Sequence, residues 1–256
     1  MKTSIITNKY FKVLFAIGFW LAVWYLLAAI IQKEIFLPYP HRVVERAIFL
    51  AKDVAFFKTV AISLARILVG YISGVALGFA VAMLTYKSSF AMTIFSPLIR
   101  VARATPVASF ILLAFLWLDN DTIPVFIAIL MVMPIVWQNV LAGLESRDVK
   151  LKEMAKIFKL SPLKSFLKIT FPEIKPHFYS GSLTALGLAW KSGIAAEVIS
   201  YPKVAIGKEM NDAKMVLETA DVLVWTVVVV LLSLMLEGLF KLAFNKKRKE
   251  TKDDRN

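Results

Sequence analysis

The feature that most constrains this chain is a series of apolar runs, each about 18 to 25 residues long, long enough for a helix to cross a hydrocarbon core of roughly 30 Å. A helix also satisfies its own backbone hydrogen bonds where water cannot. Six runs are read, with approximate limits Phe11 to Ile31, Ala61 to Tyr86, Val101 to Leu118, Ile123 to Leu144, His177 to Ser200 and Ala220 to Phe244. The strict alternation of a transmembrane barrel is missing. Hydrophobic residues make up 59% of the 256-residue chain, above the share of a soluble domain, and the excess sits in these runs. The expected fold class is an all-α integral membrane protein with about six transmembrane helices. Lys2, Lys9 and Lys12 precede the first run as they would in a signal peptide. That run is long and no small-x-small site closes it, so an uncleaved first helix is expected. Trp24 and Tyr25 near its end suit an interfacial belt.

The basic residues give a direction. One side would hold the N-terminus, Lys87, the segment from Arg147 to Lys175 and the tail Lys246-Lys247-Arg248-Lys249; the other would hold the remaining loops. The count is about 19 Lys/Arg against about 8, which places both termini in the cytoplasm. The net charge of +13 then reads as topology and contact with lipid headgroups rather than as nucleic-acid binding. No cysteine is present, so disulfide and thiol chemistry are excluded.

Two segments lie outside the runs. After the stiff Leu37-Pro38-Tyr39-Pro40, the residues Val43, Val44, Ala47, Ile48, Ala51, Val54 and Ala55 fall on one helical face, with Arg42, Glu45, Arg46 and Asp53 on the other. This predicts an amphipathic helix on the outer membrane surface. Between the fourth and fifth runs, Leu151, Met154, Ala155 and Phe158, then Leu163, Phe166, Leu167 and Thr170, recur at helical spacing. Two short helices are expected, with Lys152, Lys156, Lys164 and Lys168 on their outer faces, the second starting at Ser161-Pro162 and stopping at Phe171-Pro172. A plain loop would have served as a connector, so the hairpin is either a surface element held by acidic lipids or a rigid knob that docks into another protein.

Gly70, Gly74 and Gly78 form a smooth stripe for close helix packing. Arg66, Arg100, Arg103, Lys191, Glu197 and Glu237 lie within or beside apolar runs, where a charge costs on the order of 3 kcal/mol at mid-bilayer and must face protein, water or headgroups. Arg100 and Arg103 suit either headgroup contact or a basic collar around an anion path. Lys191 and Glu197 share a helix but point apart, so each is expected to meet another helix or a water-filled path. Arg100, Arg103, Lys191 and Glu197 are the pathway candidates. Nothing supports catalysis or a metal site: no phosphate-binding Gly-x4-Gly-Lys-Ser/Thr loop occurs, His41 and His177 stand far apart, and Asp119 and Asp121 read as a solvated turn.

The segment Glu153-Met154-Ala155, followed at the expected distance by Phe171-Pro172, resembles the EAA loop of binding-protein-dependent ABC importer permeases. Leu37-Pro38-x-Pro40, the glycine stripe, Pro97-Leu98-Ile99 with Arg103 and Pro106, and Leu186-Gly187-x-Ala189-Trp190 with Ala196-Glu197 resemble the nitrate/sulfonate/taurine-type branch, in order from about Leu37 to Phe244. Met154 replaces the family's first Ala, and Lys159 stands where Gly is usual. The resemblance implies a type I importer permease in the bacterial inner membrane, working as a homodimer. It also implies an external substrate-binding protein and a separate ATPase subunit that binds ATP and Mg. That ATPase would grip a coupling loop, 146–175, through Glu153, Met154, Ala155, Lys159, Leu160, Ser161 and Pro172. On this reading residues 1–36 are an N-terminal membrane helix, 37–60 the external helix, 61–245 the core and 246–256 a basic tail. The solute would be small and anionic, of the nitrate, sulfonate, taurine or vitamin-precursor kind. A self-sufficient ion-coupled transporter using Lys191 and Glu197 is the competing reading; it predicts inverted repeats, and none is visible.

Overall fold

The structure is a computed structural model and describes residues 9–253; Lys2 lies outside them, as do the side chains of Lys152, Lys156 and the tail from residue 245 onward. The described residues contain eleven α-helices and no strand. They are α1 (Lys9–Ile31), α2 (Pro40–Leu50), α3 (Val54–Lys87), α4 (Ser89–Ala104), α5 (Val107–Ala114), α6 (Ile123–Glu145), α7 (Val149–Ile157), α8 (Pro162–Ser165), α9 (Phe171–Ser200), α10 (Ile206–Met215) and α11 (Thr219–Asp253). A single wide π-helical turn, Phe166–Thr170, joins α8 to α9.

By length and apolarity α1, α3, α6 and α11 can each cross a membrane, and α4 with α5 would make a fifth span if a bent pair counts as one. The expected third span from Val101 to Leu118 is not continuous: α4 and α5 meet at 104°. Thr105 and Pro106 cause the break. A residue before proline is pushed to extended backbone, and Thr105 has φ −81° and ψ 133°. The fifth run is longer than expected, 30 residues, but its charged and small polar side chains keep it below the apolarity of the other spans. The outer helix is shorter than expected, because α2 ends at Leu50. The Asp53 carboxylate then accepts the Ala55 amide at 2.8 Å and starts α3, so Val54 and Ala55 belong to that helix.

The chain divides into two compact units. In one, Met1–Val60 with Glu209–Leu231, Arg46 grips Asp221 by two hydrogen bonds of 2.6 Å, so a residue expected on the free polar face of α2 is paired. Thr219 donates to the Ile35 carbonyl, Trp24 to the Pro38 carbonyl, and Phe56 stacks on Trp225.

The other unit, Ala61–Lys208 with Leu232–Asn256, is built on α6 and α9, which pack antiparallel along most of their length. A Cβ at Gly181 would lie 2.6 Å from Asn139, and one at Gly143 would lie 2.9 Å from His177. The α3 stripe lies against α6: a Cβ at Gly70 would come within 2.7 Å of the Val125 carbonyl oxygen, and one at Gly78 within 2.6 Å of the Met133 carbonyl oxygen. Gly74 sits between them against Val132. Further along the seam Trp137 donates to the Thr85 hydroxyl at 3.0 Å.

Candidate functional site

The segment between α6 and α9 is a helical hairpin whose shape follows from four local signals. Lys159, after the end of α7, has φ 47°, the left-handed conformation that glycine adopts without penalty. The Leu160 amide there donates to Ala155, five residues back. Ser161 caps α8 by accepting the Lys164 amide, and Pro162 occupies its first turn. The second arm does not stop at Phe171-Pro172 as the sequence led us to expect. The Phe171 amide donates to Phe166, five residues back, and this wide turn passes the chain into α9 with Pro172 in its first turn, where a missing N–H costs nothing.

The neck of the hairpin is clamped. Arg147 Nε donates to Glu173 at 3.0 Å and the Asp148 amide donates to the other carboxylate oxygen at 3.2 Å. Both charged side chains are largely buried. Phe166, Phe171 and Phe178 cluster with Phe79 of α3 and fix the second arm. The apolar faces of the two arms are otherwise open. Of the predicted apolar positions only Ala155 and Thr170 are buried, whereas Phe158, Leu163 and Leu167 are more than half exposed. Glu153, Met154, Lys159, Ser161 and Pro172 are exposed and Leu160 is half-buried, so the tip carries apolar and charged groups together.

A second constellation lies at the other end of α9. Glu197 is wholly buried and meets another helix, one of the two surroundings its sequence position allows. Its carboxylate accepts from Arg66 at 2.8 Å, from Ser63 at 2.8 Å and from the Gly207 amide at 3.2 Å. Arg66 also donates to the Val204 carbonyl and to Asp121, which in turn accepts the Lys203 amide. Ser63 accepts the Ile206 amide at 2.8 Å. One buried ion pair thus ties α3 to α9, to the turn before α6 and to the first residues of α10. Gly207 is required here, since a Cβ would sit 2.4 Å from the Val198 nitrogen. In the same turn the hydroxyl and amide of Thr122 hold the Asp119 carboxyl below the usual carboxylate range. An open cleft of about 850 Å³ borders Asp119, Asp121, Tyr201, Lys203 and Lys208.

The remaining pathway candidates are exposed. Arg100 and Arg103 lie near the end of α4, and Arg103 lines a cavity of about 240 Å³ that reaches Leu188. Lys191 lines another, of about 380 Å³, with Glu237 of α11. The sequence reading missed Ser63, Arg147, Glu173 and Gly207. Opposite charges bracketing the hairpin were a usable signal for Arg147 and Glu173. No local signal exists for Ser63, whose partner is 134 residues away.

Residues 74–249 match the family model described as binding-protein-dependent transport system inner membrane component. The chain belongs to that family. Similar proteins include the nitrate import permease protein NrtB of Leptolyngbya laminosa, 27% identical over 73% of this chain and 67% of that one. The taurine transport system permease protein TauC of Escherichia coli K12 is 25% identical over 85% of this chain and 81% of its own. The bicarbonate transport system permease protein CmpB of Synechocystis is 27% identical over 62% of this chain and 56% of that one. A solved structure described as an amino acid ABC transporter with histidines superposes with a TM-score of 0.62 at 16% identity, over 75% of this chain and 94% of that one. The last likeness shows the fold, all-helical in the described residues, and the family match and the relatives make this chain a multi-pass ABC-type permease.

Proposed function

We propose that this chain is the permease subunit of an ATP-driven importer for a small anionic solute, paired with a second copy, a separate ATPase and an external binding protein. Both termini face the cytoplasm on this reading, which the lysine and arginine distribution favours. ATP and Mg belong to the ATPase, and this chain performs no covalent chemistry. The observation that carries the proposal is the hairpin: a tip with exposed Phe158, Leu163 and Leu167 beside Glu153 and Lys164, on a neck fixed by Arg147 and Glu173. Exposed apolar side chains in a charged surround fit a protein partner better than bulk water. The fixed neck lets movement of that partner pass into α6 and α9 rather than into the loop. Nitrate and bicarbonate, named for two of the relatives, are anions, and taurine, named for a third, carries a sulfonate, in keeping with Arg100, Arg103 and Lys191.

Glu153→Lys is expected to abolish co-purification of the ATPase with the permease while leaving membrane insertion intact. Full assembly and uptake in that variant would remove the hairpin's role. Robust uptake by the purified chain alone, driven by an ion gradient, would replace the importer with a secondary transporter.

A further inference from the structure

The unit made of Met1–Val60 with Glu209–Leu231 contains a cavity of about 90 Å³ bordered by Asp53, Phe56, Thr59, Glu209 and Trp225. Two of these residues carry polar groups with nothing to bond. Thr59 is 5% exposed and Trp225 4%, yet neither the hydroxyl nor the indole N–H has a hydrogen-bond partner among the described residues. Neither group is sealed in. Among the described residues Ser182 Oγ alone is both fully enclosed and unpartnered. What surface the Thr59 and Trp225 groups keep therefore opens into the cavity they border. A buried donor without an acceptor is costly, so two of them around one small void call for an occupant. The volume suits about three waters or the end of a small headgroup, and excludes a sugar or a nucleotide.

The wall has both polarities. The indole N–H can only donate, and the hydroxyl can donate or accept. The Asp53 and Glu209 carboxylates can only accept, and one Asp53 oxygen already takes the Ala55 amide at 2.8 Å. Phe56, stacked on Trp225 at 4.8 Å, closes one side with an apolar face. A metal ion would satisfy the carboxylates but offers no acceptor to an indole N–H. A simple anion would satisfy the donors but not the carboxylates. The occupant that fits carries an N–H-rich cation and an acceptor oxygen on a short link.

Its depth points to the source. Thr59 and Trp225 lie in the first two turns of α3 and α11, both long and apolar enough to cross a membrane. At 1.5 Å per residue they stand about 8–9 Å inside those helix starts, near the inner edge of a headgroup layer roughly 5–8 Å thick. Phe57 meets Phe56 edge-on at 5.3 Å and is exposed, as is Val54, so the cavity wall runs out onto open apolar surface. We infer that the cavity binds the headgroup of a phospholipid that ends in a primary ammonium. The ammonium pairs with Asp53 and Glu209, the phosphate oxygens accept from Trp225 and Thr59, and an acyl chain follows Phe57 and Val54. This is a lipid site and not a solute site, so it goes beyond the importer proposal.

Native mass spectrometry of the full chain, delipidated and then titrated with phospholipids of one acyl composition, tests the site. One phosphatidylethanolamine should be retained at concentrations at least tenfold below phosphatidylglycerol or phosphatidylcholine. Methylating the headgroup nitrogen one step at a time removes its N–H donors and should weaken retention at each step. Asp53→Asn, which keeps an acceptor for the Ala55 amide, combined with Glu209→Gln should erase the preference for phosphatidylethanolamine. Trp225→Phe keeps a ring against Phe56 and should lower retention of that lipid through the lost N–H alone. Equal retention of the three lipids would overturn the inference, as would a preference that survives the double substitution. Free phosphoethanolamine that displaces the lipid at equal concentration would assign the cavity to a soluble amine and overturn it too. So would terbium luminescence excited through tryptophan and lost in Trp225→Phe, which would assign it to a metal ion. The methylation series uses the unaltered chain and decides the question even where a variant fails to fold.

Discussion

The two ends of α9 are held in opposite ways. At one end Glu197 has no exposed surface, every nearby polar group has a partner, and glycines bring backbones together. At the other end the hairpin is fixed at its neck and at the base of its second arm, and leaves Phe158, Leu163 and Leu167 open. Buried polar networks that are fully satisfied specify one arrangement and resist change. Open apolar faces on short helices add little stability to the chain that carries them and are suited to a partner. The contrast is that of a fixed end and a working end on a single 30-residue helix.

The largest effect should come from breaking the fixed end. Glu197→Ala leaves Arg66 buried with only the more distant Asp121 carboxylate, and a lost partner in a buried pair costs up to about 3–5 kcal/mol. Removing the charge as well, in Arg66→Met with Glu197→Ala, should cost less than Glu197→Ala alone; thermal unfolding of the purified variants reads both. Equal or greater loss in the double variant would mean that the charge is not what matters. Next comes the seam between α3 and α6. Gly78→Ala pushes a methyl group into the Met133 carbonyl, and such overpacking costs about 1–3 kcal/mol. Gly238→Ala, with nothing within 4 Å of the new group, should instead be neutral or stabilising.

The working end should respond in the other direction. Lys159→Gly removes a side chain from a left-handed turn and should stabilise the hairpin by roughly 1 kcal/mol, read as slower amide exchange over α7 and α8. The smallest effect belongs to Asp119. Its pKa is lowered in the fold, so its contribution is present above the ordinary carboxylate range and is lost as pH falls through the folded value. A small gap in melting temperature between the native chain and Asp119→Asn at neutral pH should therefore close on acidification.

Much of this was legible in sequence because lipid leaves few options. Long apolar runs announce spans, and Ser161-Pro162 announces a helix start. Lys159 in a glycine position marked the one strained residue of the hairpin. The break at Thr105-Pro106 was also written in the chain, but the hydrophobicity on either side masked it, since an apolar run says nothing about direction. Phe171-Pro172 misled for a related reason: a proline that stops a regular helix can sit in the first turn of the next, and the wide turn before it made the two continuous. The chain says that Glu197 must meet another helix or water, but not that α3 and α10 supply its partners. Pairing over 131 residues to Arg66 leaves no periodic trace.

That wide turn has an angular consequence. Each residue in an α-helix advances the azimuth by about 100°, so one surplus residue within Phe166–Thr170 swings everything on its far side by that amount. Deleting Leu167 would bring back a regular repeat and leave every other side chain of the tip chemically intact. The tip would then face about a quarter-circle away from its present heading, and a partner shaped for the original bearing would meet the wrong surface.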